Sequence, residues 1–73
     1  MYAFLCNDKG ETLCGSDGVL VVDGRLSAKK MKEKASEYRE RFKLHSRSKY
    51  DHWTHVFFAP NIRDAKPQNL MRL

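Results

Sequence analysis

The stretch Leu26 to Leu44, LSAKKMKEKASEYRERFKL, constrains the fold of this chain more than any other. Ala28, Met31, Ala35, Tyr38 and Phe42 recur at steps of three and four, which at ~100° per residue places them on one stripe of an α-helix. Ser27 is placed as N-cap, with its hydroxyl accepting from a free amide of the first turn, and Leu26 before it can pack on Met31 as a hydrophobic staple. The periodicity dissolves after Leu44, so the spacing predicts a helix ending near Phe42 to Leu44. On the solvent side of the same wheel, Glu33, Glu37 and Glu40 form a central acidic row. Lys32, Arg39 and Lys43 border it on one side, and Lys30, Lys34 and Arg41 on the other. Glu37 and Arg41 are spaced for an (i, i+4) ion pair. Lys29 and Lys30 in the first turn oppose the helix dipole at a cost of about 0.3 kcal/mol each.

An amphipathic helix needs an apolar surface to lie on, and the flanking segments read as strands. Tyr2 to Asn7 is rich in aromatic and apolar residues and runs into Asn7-Asp8-Lys9-Gly10, which suits a type I turn followed by Gly in the left-handed region. That predicts a hairpin with Glu11 to Cys14, with Cys6 opposite Thr12, Leu5 opposite Leu13 and Phe4 opposite Cys14. In this register the two cysteines are diagonal neighbours, a poor disulfide geometry, and both read as small buried hydrophobes. Gly15-Ser16-Asp17-Gly18 is a second turn, and Val19 to Val22 is a continuous apolar run of the kind that forms a buried strand. Asp23-Gly24 then either redirects the chain into the helix or, as a type I′ turn, pairs Val21-Val22 with Arg25-Leu26. After the helix, Leu44 to Asp51 is a polar, basic connector, and Trp53 to Phe58 is a strand with bulk on both faces. Trp53, His55 and Phe57 are expected on one side and Thr54, Val56 and Phe58 on the other, which marks an internal strand.

The expected fold is therefore α+β: a three- or four-stranded antiparallel sheet with one amphipathic helix on one face, in the order ββ(β)αβ. Residues 1–60 make the compact domain. Residues 61–73 form a C-terminal tail, read as disordered or as a short docking helix, whose Leu70, Met71 and Leu73 can dock on the domain, contact a dimer mate or serve as an interaction peptide. Seventy-three residues bury roughly 60 to 65% of their unfolded surface, a thin stability margin that a homodimer would widen. There is no apolar run near ~18 residues and no secretory leader pattern, so the expectation is a cytoplasmic protein with no membrane partner.

Charge is unevenly distributed. Residues 1–26 hold Lys9 and Arg25 against Asp8, Glu11, Asp17 and Asp23, a net −2, while the rest of the chain holds twelve cations against five anions, a net +7, giving the overall +5. A basic half of this kind suits nucleic acid, an acidic protein surface or an anionic membrane, in that order. The tightest cluster is Arg39, Arg41, Lys43, His45, Arg47 and Lys49, followed by Tyr50 and Trp53. There, cations would neutralise phosphates and the rings would stack on bases.

Enzyme motifs do not emerge. The His52-Trp53-Thr54 beginning of His52-Trp53-Thr54-His55 resembles half of the two-histidine phosphoesterase signature, but that chemistry needs a second copy, which is absent. A zinc site from Cys6, Cys14, His52 and His55 lacks a close Cys pair and the usual His spacing. No cofactor motif occurs. The sequence thus points to a non-enzymatic module that engages nucleic acid through phosphates. The alternative is a small regulator or inhibitor, of phage or mobile-element type, that binds an acidic surface of a partner protein. A third reading is a metal-independent ribonuclease using His52 or His55 with Arg47 or Lys49.

Overall fold

The computed structural model describes residues 1–12, 18–43 and 53–73, apart from the side chain of Lys43. Strands β1 (Tyr2–Cys6) and β2 (Val19–Val21) are followed by helix α1 (Ala28–Lys43), then by β3 (His55–Ala59) and β4 (Met71–Arg72). The strands form one antiparallel sheet in the order β2-β1-β3-β4. Both β2 and β3 run antiparallel to β1 and lie on either side of it, so the link through α1 carries the chain across β1. The α+β architecture is the expected one. The order differs, with two described strands before the helix and two after it.

Helix α1 starts as its cap dictates: the Lys30 amide donates to Ser27 Oγ at 3.2 Å, and the Met31 amide to the Ser27 carbonyl at 3.0 Å. Met31 and Ala35 are buried, and Leu26, Tyr38 and Phe42 pack on the same cluster. Ala28, expected on the buried stripe, is exposed, because it lies at the stripe's margin in the first turn. The helix covers Ala3 and Leu5 of β1, Val56 of β3, Val22 and Trp53.

Strand β1 is apolar on both faces. Phe4 and Cys6 point away from the helix and pack with Phe57 and Ala59 of β3, and the Phe4 and Phe57 rings stack with centroids 4.9 Å apart. That second face is closed by the C-terminal segment, through Ala65 and Leu70. Residues 61–73 are thus neither disordered nor helical where the tail meets the sheet. Asn69, at φ 50°, turns the chain in the left-handed region that Asn tolerates, and the segment ends as β4 against β3. The Leu73 amide donates to the Thr54 carbonyl at 3.0 Å.

The expected turn at Asn7 is present. Asn7 and Gly10 close it by backbone bonds of 3.1 and 3.0 Å, and Asn7 Oδ1 accepts from the amides of Lys9 and Glu11, each at 2.9 Å. The hairpin beyond it is different. Phe4 faces Val19, not Cys14, and β1 takes Val19–Val21 as its partner. Glu11 and Thr12 lie outside any strand; the expected positions of Leu13 and Cys14, and the second turn at Gly15 to Asp17, fall outside the described residues. The β-branched run suits a strand better than Glu-Thr-Leu-Cys, and pairing it with β1 brings Leu20 and Val22 under the helix. It does not form a fully buried strand, since Val21 is 76% exposed and β2 is an edge among the described residues.

The type I′ alternative at Asp23-Gly24 is also excluded. Gly24 does not have a positive φ, and the Leu26 amide donates to the Asp23 carbonyl at 3.1 Å, turning the chain into the helix. Strand β3 is internal, as expected, but it starts at His55, so the two-residue alternation does not reach back to Trp53. Trp53 joins Val56 and Phe58 on the helix side, while Phe57 packs on the other.

Gly10 is where the N-terminal turn meets the C-terminal segment: its φ is +83°, and a Cβ there would lie 2.5 Å from Cβ of Pro67. Gly10→Ala is therefore expected to cost about 1 to 3 kcal/mol. Gly24→Ala, whose nearest contact would be 3.4 Å from Met1, should cost under about 0.5 kcal/mol. Urea denaturation of the two variants checks this; equal losses would remove Gly10 as the clamp.

Candidate functional site

The basic surface is built on α1. Its apolar stripe faces the sheet, which turns the acidic row and the Lys30, Lys34 and Arg41 border to solvent. No acidic residue lies in the first turn to offset Lys29 and Lys30. Lys30 makes an exposed ion pair with Glu33 at 3.8 Å, worth little in water. The expected Glu37 to Arg41 pair is not among the ion pairs of the described residues. Lys34 and Arg41 are both exposed, and neither has a described ion pair. At 1.5 Å of rise per residue, Lys30, Lys34 and Arg41 stand about 6 and 10.5 Å apart along one flank. Beside them lies a shallow depression lined by Ser36, Glu37, Glu40 and Arg41.

On the other border, Arg39 is held by internal contacts. Arg39 Nη1 donates to the Trp53 carbonyl at 3.1 Å, its Nη2 lies 3.5 Å from Glu40 Oε1, and its side chain is only 28% exposed. Arg39 thus ties the helix to the lead-in of β3. Trp53 leaves the surface altogether. It is 1% exposed, with its ring 4.8 Å from that of Phe42 and 6.2 Å from that of Tyr38, so it offers no face for a base. A stacking role for Trp53 requires exposure, and burial of its large apolar ring outweighs that.

Of the remaining predicted residues, His45, Arg47, Lys49 and Tyr50, with the side chain of Lys43, lie outside the described residues, as does His52. Arg41 is thus the one member of the predicted cluster that the described structure leaves exposed. Lys30 and Lys34, which join it, are visible on the helical wheel. They fall outside the predicted cluster because charge density along the chain peaks after Arg39, whereas the fold groups residues by helical face.

His55 is half-buried in β3, its Nδ1 paired with Thr54 Oγ1 at 2.8 Å, and it stands opposite Cys6 on β1 and Arg72 on β4. Cys6 is fully buried, and burial pushes its thiol up to about 11. Asp23 is held below the usual carboxylate range by its bonds from the Arg25 side chain and amide. Among the described residues, no cluster of His, Cys, Asp and Glu is suited to hold a metal, and no helix is long and apolar enough to cross a membrane. What the described residues present is a cationic flank of Lys30, Lys34 and Arg41 on the solvent side of α1.

Arg39 and Arg41 should separate by stability. Arg39→Ala is expected to lower unfolding free energy by about 1 kcal/mol through loss of the bond to Trp53, and Arg41→Ala to change it by less than about 0.5 kcal/mol, both read from urea denaturation. For Cys6, the folded state favours the neutral thiol, so its contribution to stability is intact below the ordinary value of 9.0 and is lost as pH rises towards about 11. In a Cys14→Ser background, thiol labelling at pH 8 should be about 100-fold slower for the folded than for the unfolded chain from the thiolate fraction alone. Equal rates would place Cys6 at the surface.

Comparison with protein-family models, with curated proteins and with solved structures finds no match to this chain.

Proposed function

We propose that this chain is a small, non-enzymatic binding module that engages nucleic acid through its phosphates, using the Lys30, Lys34 and Arg41 flank of α1 and the basic connector that follows. The observation that supports this reading is the flank itself: cations aligned on one side of the helix, with Lys34 and Arg41 free of ion pairs among the described residues. Cations released from internal duties can replace condensed counterions on a phosphate backbone, which yields affinity without sequence readout. With Trp53 in the core, binding would rest on charge more than on stacking. Net charge supports it too, since residues 27–73 carry +7.

A second reading has its own observation. The Glu33, Glu37 and Glu40 row lies beside the cations, and a mixed face of this kind suits a partner protein with an acidic patch and complementary cations. Small regulators or inhibitors of phage or mobile-element type would use such a face. The ribonuclease reading has less support, because His55 is half-buried in the sheet with Nδ1 taken by Thr54.

Fluorescence anisotropy with labelled single- and double-stranded DNA and RNA, titrated between about 50 and 200 mM salt, tests the proposal. Saturable binding is expected, with log affinity falling linearly against log salt. Lys34→Glu combined with Arg41→Glu should weaken it at least about tenfold and flatten the salt slope by roughly one for each phosphate no longer neutralised. A double variant that binds as well as wild type would sink the proposal. Absence of binding at 50 mM salt would leave the protein-docking reading, and strand cleavage would revive the ribonuclease.

A further inference from the structure

We infer that strand β2 is a self-association edge, and that two copies of this chain join through it by antiparallel pairing about a two-fold axis. Hydrogen-bond direction defines the edge. The Val22 amide donates to the Met1 carbonyl at 2.9 Å, and the β1–β2 register continues through Tyr2 opposite Val21 and Ala3 opposite Leu20. In an antiparallel ladder, residues facing the partner alternate with residues facing away. Val22 and Leu20 therefore turn their amides and carbonyls to β1, while Val19 and Val21 turn theirs outward. Since β2 is the terminal strand of the sheet, those outward groups have no strand partner among the described residues.

At three residues the edge is short, but its own side chains offer no guard. Residues 18 to 22 read Gly-Val-Leu-Val-Val, without a charge or a proline, although exposed edges are ordinarily protected by Lys, Pro or a bulge. Val21 is 76% exposed, more than Ile62 at 51% or Met1 at 40%. It lies on the same face as Tyr2, away from the helix.

The occupant that fits is a second copy. With a two-fold axis through Leu20, Val19 of one copy meets Val21 of the other, and the outward donors and acceptors of both residues are satisfied in two reciprocal pairs. Val21 then packs beside Val19 of the second copy, and Leu20 beside its own mate. A second copy brings the same uncharged run and is always present at equal concentration. The axis is perpendicular to the sheet, so two four-stranded sheets become one and both α1 helices stand on the same side of it. Pairing along so short a strand falls below about 1,200 Å² of buried surface, the class of weak, concentration-dependent interfaces. The inference rests on β2 alone and stands or falls separately from phosphate binding.

Sedimentation equilibrium of the whole chain from about 10 μM to 1 mM tests it. Weight-average mass should rise from 8.5 kDa towards twice that value as concentration increases. Val21→Lys places a charge on the edge, and Val21→Pro removes only an outward amide while leaving the ladder to β1 intact. Each should weaken association at least about tenfold with an unchanged far-ultraviolet circular dichroism spectrum. If the proline variant unfolds, the lysine variant decides. Amide exchange of Val19 and Val21 should slow with concentration, while that of Leu20 should be protected even when dilute. A wild-type chain that stays monomeric throughout, or a lysine variant that associates as strongly as wild type, would overturn the inference.

Discussion

The packing of Trp53 joins parts of the chain that are remote in sequence. Its ring lies against Tyr38 and Phe42 in the last turns of α1, and carbons of the same ring lie 3.2 Å from where a Cβ on Gly18 would stand. Its carbonyl takes the guanidinium of Arg39. The entry to β2, the C-terminal half of the helix and the lead-in to β3 are thus held by one residue. Filling such a site with an indole buries more apolar surface than any other side chain can, which matters in a chain whose core is small. Gly18 is tied to this arrangement, because a side chain there would press on both the ring and the Leu5 carbonyl.

The sheet is apolar on both faces, and the chain covers each by different means. The helix supplies one cover with a regular stripe. The other is covered by an irregular segment through Ala65 and Leu70, anchored where Pro67 meets Gly10 and where β4 pairs with β3. Both central strands are consequently shielded, and the two edges are left unequal. Edge β4 is two residues long and carries Arg72, whereas edge β2 presents valines.

Much of the architecture was legible from residue patterns. The step of three and four in Met31, Ala35, Tyr38 and Phe42, together with Ser27 before it, located the helix almost to the residue, because both signals are local and act within a turn or two. The Asn7 to Gly10 turn was legible for the same reason, since Gly10 adopts the left-handed conformation that its place in the turn demands. Strand partners were harder. Beyond its turn, the hairpin expected at Glu11 competed with a more distant β-branched run, and which of them β1 takes depends on what each can bury under the helix. The candidate surface divides similarly. Arg41 and the flank of Lys30 and Lys34 follow from the helical wheel. Arg39 and Trp53, both members of the predicted site, turned inward, the guanidinium onto the Trp53 carbonyl and the indole onto Tyr38 and Phe42.

By itself, the sequence determined the helix, its cap, the first turn, the α+β class and the concentration of positive charge in the later part of the chain, all of which rest on periodicity, conformational preference or composition. Only the tertiary structure decided that Val19–Val21 pairs with β1 at the edge, that the tail returns as a strand, that Trp53 is core and that Arg39 is a tie rather than a free cation. Those outcomes depend on contacts between residues far apart in the chain, where the energy of burying one surface is weighed against another, and no local pattern carries that comparison.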